Sequence, residues 1–491
     1  MKKLIAVFIL LVVLLSACNL NTAATPTEPQ PVPPTPTVQP PVVNQPVLTD
    51  PVPLPPNADS RFGILDGIGS VPPPAVDNYD VSRYPAEVAA DAQAMAALGS
   101  VYYRIHTQQY AGFGYHTLSA DNFSFARQDE LVRGIQDAGL VIVLMLGPRD
   151  GNASPCEEDY LPMGDAAFAD YVRRVVERYD GDGLDDMPGL KYAVHHWQLD
   201  NEVDLHWFGC LDKGINFSTP EEYVAALRLI VPIIRESDPQ AVIFPSFWFA
   251  GSSANPDGAA YFEQFIQLGG ADLVDAIDVH DYSFKLDLFV SRLETINVLL
   301  ADHPLPIWSM EFSVPSDPLA NPNWDAATHA RAVVKYHVAA FAVPNVDRLL
   351  WFNLTQYPTR ADDDQWQMFG SNGFYDCLDE RDDPALGITV CGSEPPGPGG
   401  YTYQLLIEKL NGFTAAEKLA EGVYRFTFAD GHAVYVLWGS ASADLTAYGT
   451  QGPQMVTHIV EEEGQTAPVT ETLAARDIPL SDSPIFVEAK P

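Results

Sequence analysis

The chain has 491 residues, 47% of them hydrophobic, which is enough to bury one large core and a smaller one and excludes a disordered protein. Its formal net charge of −38, with an isoelectric point near 4.3, argues against nucleic acid or an anionic membrane surface as a partner. An acidic surface tolerates neutral ligands and favours solubility; it says nothing about fold.

Lys2-Lys3, the apolar run Leu4–Leu15 and the small-residue end Leu15-Ser16-Ala17-Cys18 have the three parts of an export signal. The run is too short to span a bilayer comfortably. Residues 19–58 are rich in Pro, Thr, Val and Gln (TPTEPQPVPPTPTVQPPVV) and cannot build a core, so they read as an extended, semi-rigid linker.

Five cysteines are present. Setting Cys18 aside leaves Cys156, Cys210, Cys377 and Cys391, an even number in an exported chain, so disulfides are expected. Of the possible connectivities, Cys156–Cys210 and Cys377–Cys391 are favoured: one ties the loops after two adjacent strands, the other closes a local loop.

From Phe62 to Leu410, strand-like and helix-like segments alternate, the pattern of a parallel α/β fold. The expected strands are Phe62–Gly69, Val101–His106, Leu140–Leu146, Ala193–Leu199, Val242–Phe247, Ala276–His280, Pro306–Met310 and Leu349–Asn353. The helices expected after them are Glu87–Leu98, Phe125–Ala138, Ala166–Tyr179, Pro220–Arg235, Ala259–Leu268, Leu288–Leu300, Asp325–Val343 and Thr402–Leu410. Thr219-Pro220-Glu221-Glu222 is a capping box with proline in the first turn. Eight such units predict a (β/α)₈ barrel over residues 59–412. After Leu410, Val423–Phe428, Ala433–Trp438, Gln454–Val460 and Pro484–Glu488 are short β-branched and aromatic runs separated by turns. They predict a small all-β, sandwich-like domain over 413–491.

Two acidic residues sit at the ends of strand-like runs: Glu202 closes AVHHWQLDNE, and Glu311 follows PIWSM. Active sites of barrels lie at the C-terminal face, so these glutamates are expected to meet there. Paired carboxyls suit acetal cleavage, which needs a proton on the leaving oxygen and stabilisation of an oxocarbenium-like centre. Four further residues with polar or aromatic side chains lie at or just after the ends of strand-like runs: Arg104 in VYYRIH, His280 and Tyr282 in DVHDY, and Trp351 in LLWFN. Trp207, Trp248 and Trp366 are either further sugar contacts or loop packing. His195 and His196 have no partner at zinc-ligand spacing and read as hydrogen-bonded barrel residues. Asp180–Asp186 (DGDGLDD) hints at a calcium loop, but position twelve of that count is Lys191, so a solvated acidic turn is expected. No metal and no cofactor are expected. There is no phosphate-binding glycine loop after a strand and no Gly-x-Ser-x-Gly elbow.

Leu15–Cys18 resembles a bacterial lipobox, which implies a signal peptide ending before Cys18 and a lipid on its thiol. The chain would then be anchored at the bacterial cell surface, with that lipid as its sole contact with membrane. Asn201-Glu202 and Trp308-Ser309-Met310-Glu311, with Arg104, His280, Tyr282 and Trp351, resemble glycoside hydrolase clan A, the retaining (β/α)₈ glycosidases. The β-domain is similar to that of family 39 and related members. The resemblance implies Glu202 as acid/base, Glu311 as nucleophile, Asn201 on the sugar 2-hydroxyl and Trp351 as a stacking platform. It implies a carbohydrate substrate, hydrolysed with β-xylosidase-like or β-glycanase-like action; separately, a monomer is expected. The alternative is a surface lipoprotein that binds carbohydrate without turning it over.

Overall fold

The computed structural model describes residues 55, 57–65, 84–105, 113–120, 122–148, 159–205, 218–249, 258–314, 324–355, 372–375 and 395–489. The signal segment, most of the linker, all five cysteines, Trp207 and Trp366 lie outside them, as does most of the loop after every barrel strand except the sixth. Among the described residues no helix is long and apolar enough to cross a membrane.

Eight parallel strands close into a barrel in sequence order: β1 (Phe62–Leu65), β2 (Tyr102–Ile105), β3 (Val141–Leu146), β4 (His196–Leu199), β5 (Val242–Phe247), β6 (Ile277–Asp281), β7 (Ile307–Phe312) and β8 (Val346–Phe352). Helices α1 (Tyr84–Ala97), α3 (Ala126–Asp137), α4 (Asp165–Tyr179), α5 (Pro220–Ser237), α6 (Gly258–Gln267), α7 (Leu286–Leu299), α8 (Ala326–Phe341) and α9 (Pro398–Leu410) alternate with the strands. The short α2 (Tyr115–Ala120), before α3, has no counterpart in the sequence reading. The α5 capping box forms: Thr219 Oγ1 accepts from Glu222 N at 3.2 Å, and Glu222 Oε2 accepts from Thr219 N at 2.8 Å. Such a cap contributes about 1 kcal/mol. Strand β4 starts later than Ala193 because the N–H of Val194 donates to Tyr179 O, outside the ladder.

Strand alternation sorts the side chains into two layers. Phe62, Tyr103, Trp197, Ile243, Val279, Leu349 and Trp351 face the helices and join the main apolar cluster. Val101, Tyr102, Val141, Val143, Phe244, Ala276, Trp308, Met310 and Leu350 fill the barrel interior. Gly63 has no room for a side chain there, since a Cβ would lie 2.5 Å from Leu350 Cγ.

The chain then forms a six-stranded antiparallel sheet. Its order is β14 (Val469–Ala474), β13 (Pro453–His458), β16 (Ile485–Ala489), β11 (Ala433–Leu437), β10 (Val423–Phe428) and β9 (Phe413–Ala420). A two-stranded sheet pairs β12 (Ser442–Ala443) with β15 (Ile478–Pro479). The inner strands of the six-stranded sheet bury both faces. Phe426, Val434, Val436 and Phe486 join the apolar cluster of the barrel helices, while Tyr435, Leu437, Val456 and Val487 form a second cluster with Leu445 and Ile478. Polar contacts pin the junction: Arg331 pairs with Glu461 at 2.5 Å and Lys335 with Asp482 at 2.6 Å. Thr402 Oγ1 donates to Val460 O at 2.8 Å and accepts from Val460 N at 3.0 Å.

Candidate active site

Above the apolar floor, the next inward-facing positions are polar: Arg104 on β2, Gln198 on β4, Ser246 on β5, and Asp278 and His280 on β6, each at most 1% exposed. A polar layer on an apolar plug is expensive unless every group has a partner. Arg104 Nε donates to Gln198 Oε1 at 2.6 Å and Nη2 to Asn201 Oδ1 at 2.5 Å. Gln198 Nε2 donates to Asp278 Oδ2 at 2.9 Å, and the same oxygen lies 3.0 Å from His280 Nε2. The other ring nitrogen, Nδ1, lies 2.6 Å from Glu202 Oε1 and 2.7 Å from Glu311 Oε2. Arg104 Nη1 stands 3.6 Å from Glu311 Oε1. One connected network thus runs from Arg104 through Gln198, Asp278 and His280 to both glutamates.

Glu311 reaches this network through a bulge. Between the pairs Asp278↔Trp308 and His280↔Glu311, β7 spends one residue more than β6; between Ser309↔Leu349 and Phe312↔Trp351 it spends one more than β8. Such an insertion reverses which face the following side chains take. Trp308 and Met310 point inward, Phe312 points out to the helices, and Glu311 is turned to the barrel mouth. Its carboxylate is near the surface of the cleft, with the residue 7% exposed.

Glu202 lies beyond β4, whose last residue is Leu199, rather than at the strand's own end. Asp200 (φ 56°) and Glu202 (φ 48°) are both left-handed, an uncommon state for residues with side chains and one that concentrates at functional sites. Asp200 Oδ1 accepts from Asn201 N at 2.9 Å, and Glu202 O accepts from Leu205 N at 2.8 Å. Asp204 ties this turn to the end of β5 by accepting from Trp248 N at 2.7 Å and Phe249 N at 3.0 Å.

Burial, with added repulsion from Glu311 and Asp204, pushes the Glu202 carboxyl up to about 7, against the opposing pull of His280. For His280, burial alone would lower the pKa; Glu311, Asp278 and the contact with Glu202 outweigh it and hold the ring well above its ordinary value. With His280 as imidazolium and Glu202 protonated, two cations (Arg104, His280) face two anions (Asp278, Glu311). That is the balanced state for a buried cluster. His196, lower in the barrel, is pushed down to about 3 by burial and packs as a neutral ring against Phe244 and Trp308.

One oxygen each from Glu202 and Glu311 and a His280 nitrogen all lie within 4.8 Å of one another. A metal among them would set ligand atoms about 3.4 Å apart in tetrahedral geometry. The 2.6 and 2.7 Å separations here are those of hydrogen bonds.

The structure brings Arg104, Asn201, Glu202, His280 and Glu311 together. Tyr282, just past β6, packs its ring 5.5 Å from Trp248 and 5.5 Å from Phe352. Trp248 and Tyr282 are half-buried, and the Trp248 indole N–H has no hydrogen-bond partner among the described residues. Trp351 is not brought to the cleft. It is fully buried on the helix side of β8, stacked on His337 with its N–H donated to Asn372 O at 2.9 Å. Alternation along β8 gives the inward place to Phe352. Sequence reasoning missed Gln198, Ser246 and Asp278. The signal was there: each is a polar residue two positions from an inward-facing neighbour on its own strand (His196, Phe244 and Ala276).

An eight-stranded barrel with two carboxyls hydrogen-bonded to one imidazole at its C-terminal mouth defines the class of site. Solved structures with the same fold include a glucosidase from Croceicoccus marinus (14% identity, 90% of this chain and 98% of that one, TM-score 0.50). They also include a GH39 β-xylosidase from Caulobacter crescentus (14%, 90% and 98%, TM-score 0.53). A third is a family 51 α-L-arabinofuranosidase from Bifidobacterium longum (12%, 90% and 97%, TM-score 0.51). At these identities the likeness establishes the fold. No family model and no curated protein matches the sequence.

Proposed function

We propose that this chain is a retaining glycoside hydrolase that cleaves O-glycosidic bonds of a plant- or bacterial-type oligo- or polysaccharide. The observation that carries the reading is the closeness of Glu202 and Glu311, with carboxylate oxygens within 4.8 Å of each other. Retaining enzymes place their two carboxyls about 5–5.5 Å apart, whereas inverting enzymes leave about 6.5–9.5 Å for a water.

In the first step Glu202 gives its proton to the leaving oxygen as the glycosidic C–O bond breaks, and a Glu311 oxygen bonds to the anomeric carbon. In the second, water attacks that carbon, its proton passes to Glu202, and the ester bond to Glu311 breaks. The raised pKa of Glu202 suits the acid role. Arg104 faces Glu311, and its hydrogen bond from Nη2 fixes the Asn201 oxygen, so Asn201 offers its amide N–H₂ to a sugar hydroxyl. Trp248, Tyr282 and Phe352 supply aromatic surface for sugar C–H groups.

The neighbours described as a xylosidase, an arabinofuranosidase and a glucosidase support a neutral glycan as substrate, with β-xylosidase-like or β-glycanase-like action leading. The form of Lys2–Cys18 supports export and lipid anchoring at Cys18, with the enzyme working outside the cytoplasm.

The test screens the full-length chain and its Glu311→Ala variant against aryl β-glycosides and plant and bacterial polysaccharides. Hydrolysis lost in the variant, and partly restored by azide with an inverted glycosyl azide as product, supports the reading. No turnover by the parent, together with tight oligosaccharide binding, moves the chain to the non-catalytic alternative.

A further inference from the structure

The loop between α4 and β4 lies at the end of the barrel opposite Glu202 and Glu311, the end associated with stability rather than catalysis. The sequence led us to expect a solvated acidic turn. Instead, Asp180 is only 6% exposed, and its Oδ2 is buried with no hydrogen-bond partner among the described residues. One oxygen each from Asp180, Asp182 and Asp186 lies within 4.8 Å of the other two. An uncompensated buried carboxylate among two others is costly.

The nearby cations are engaged elsewhere. Arg178 gives Nη2 to Asp129 Oδ2 at 2.5 Å and Nη1 to the carbonyls of Asp185 and Asp186 at 3.1 and 3.0 Å. Lys191 pairs with Asp137 at 2.8 Å. Among the described residues, no lysine, arginine or histidine forms an ion pair with Asp180, Asp182 or Asp186.

The loop's own main chain holds the carboxylates in place. Gly181 N and Gly183 N donate to Asp186 Oδ1 and Oδ2 at 3.0 and 2.7 Å, and Leu184 N donates to Asp182 Oδ1 at 2.7 Å. Gly181 (φ 76°) and Gly183 (φ 94°) take the left-handed turns that let residues 180, 182 and 186 converge. Gly181 also has Ala193 against it, where a Cβ would come within 2.9 Å, so the loop is seated on the approach to β4.

We propose that Asp180, Asp182 and Asp186 form a Ca²⁺ site that fastens the end of α4 to the start of β4. The ligand set selects the ion. Three carboxylates with no nitrogen or sulfur donor suit a hard cation. Separations within 4.8 Å fit oxygens that each stand about 2.3–2.6 Å from one Ca²⁺. Lys191 replaces the bidentate glutamate that closes an EF-hand, so affinity falls in the weaker range, about 10⁻⁴–10⁻³ M.

The experiment uses the full-length chain, stripped with EDTA, and follows its unfolding midpoint and calorimetric binding during titration with Ca²⁺ and, separately, Mg²⁺. Ca²⁺ in the millimolar range is expected to raise the midpoint by roughly 2–4 °C, with a smaller rise for Mg²⁺. Asp180→Asn, which replaces the unpartnered acid by a neutral amide, is expected to fold in EDTA with a midpoint at or above the parent's and to lose the Ca²⁺ response. Asp182→Asn is the second variant and is expected to lose the response as well. Activity at 25 °C is expected to be equal in EDTA and Ca²⁺, since the loop is remote from Glu202 and Glu311. A parent that neither binds Ca²⁺ nor shifts its midpoint overturns the proposal, as does a Ca²⁺ response that persists undiminished in both variants.

Discussion

The Asp278 carboxylate accepts the main-chain N–H of Met310 at 2.9 Å through Oδ1, while its Oδ2 faces His280 Nε2 at 3.0 Å. Met310 sits in the β7 bulge, whose extra residue takes main-chain groups out of ladder register. One side chain therefore both satisfies the bulge that aims Glu311 and orients the imidazole that joins Glu311 to Glu202.

These two roles separate by mutation. Asp278→Asn keeps an oxygen for Met310 N–H and removes the charge facing His280. If the roughly 1.5–3 kcal/mol of a charged hydrogen bond is lost in the transition state, kcat falls about 10- to 150-fold with little change in Tm. Asp278→Ala orphans the buried N–H as well, and Tm falls in addition. Equal Tm losses in the two variants would contradict the division of roles. Steady-state kinetics and thermal unfolding measure both.

The pH profile follows from Glu202. Its folded pKa, about 7, lies above its ordinary value of 4.5, so the acid form persists to neutrality. The bond-breaking step needs that proton, so kcat/KM is expected to be lost progressively as pH rises through about 7. The sign for stability follows from the same shift. Between the unfolded and folded pKa values the native state holds a proton that the unfolded chain has released, so the contribution of Glu202 to stability declines as pH rises from about 4.5 through about 7. Glu202→Gln is expected to abolish this decline and to be more stable than the parent at pH 8. A variant with the parent's pH–stability curve would show that Glu202 is not the group responsible.

The tryptophans divide by the face they occupy. Trp351 is packing, so Trp351→Phe is expected to cost about 1–3 kcal/mol of stability through lost volume and the lost bond to Asn372, with KM unchanged. Trp248 is half-buried at the mouth, and its indole N–H has no partner among the described residues. Trp248→Phe is expected to raise KM with Tm held within about 1 °C, a small surface effect. The reverse pattern, a KM effect at Trp351 and none at Trp248, would contradict this placement.

How far the sequence could be read depends on which signal is local. Strand and helix periodicity reports burial directly, so the eight barrel strands and their order were legible, as was the α5 cap at Thr219. Arg104 and His280 were singled out through the clan resemblance, while the meeting of Glu202 and Glu311 was legible because strand-end carboxylates stand out against apolar runs. The role of Asp278 was not, because it depends on a bulge two strands' pairing creates, which has no signature in WSMEF itself. Trp351 misled for a related reason: position near the strand end suggested the mouth, while parity against Leu350 assigns it to the helices. In the C-terminal region, β9 (FTAAEKLA) and β14 (VTETLA) were missed because their exposed faces carry small and charged residues in place of a clear apolar alternation.

The most direct test of the central claim, that Glu202 and Glu311 act as a retaining pair, is the configuration of the sugar first released. Proton NMR of the anomeric signal during early turnover of the first aryl β-glycoside cleaved would record it before mutarotation. The account predicts the β-anomer as the initial product, retaining the configuration of the substrate. Initial release of the α-anomer would contradict it and would mean that water, not Glu311, attacks the anomeric carbon.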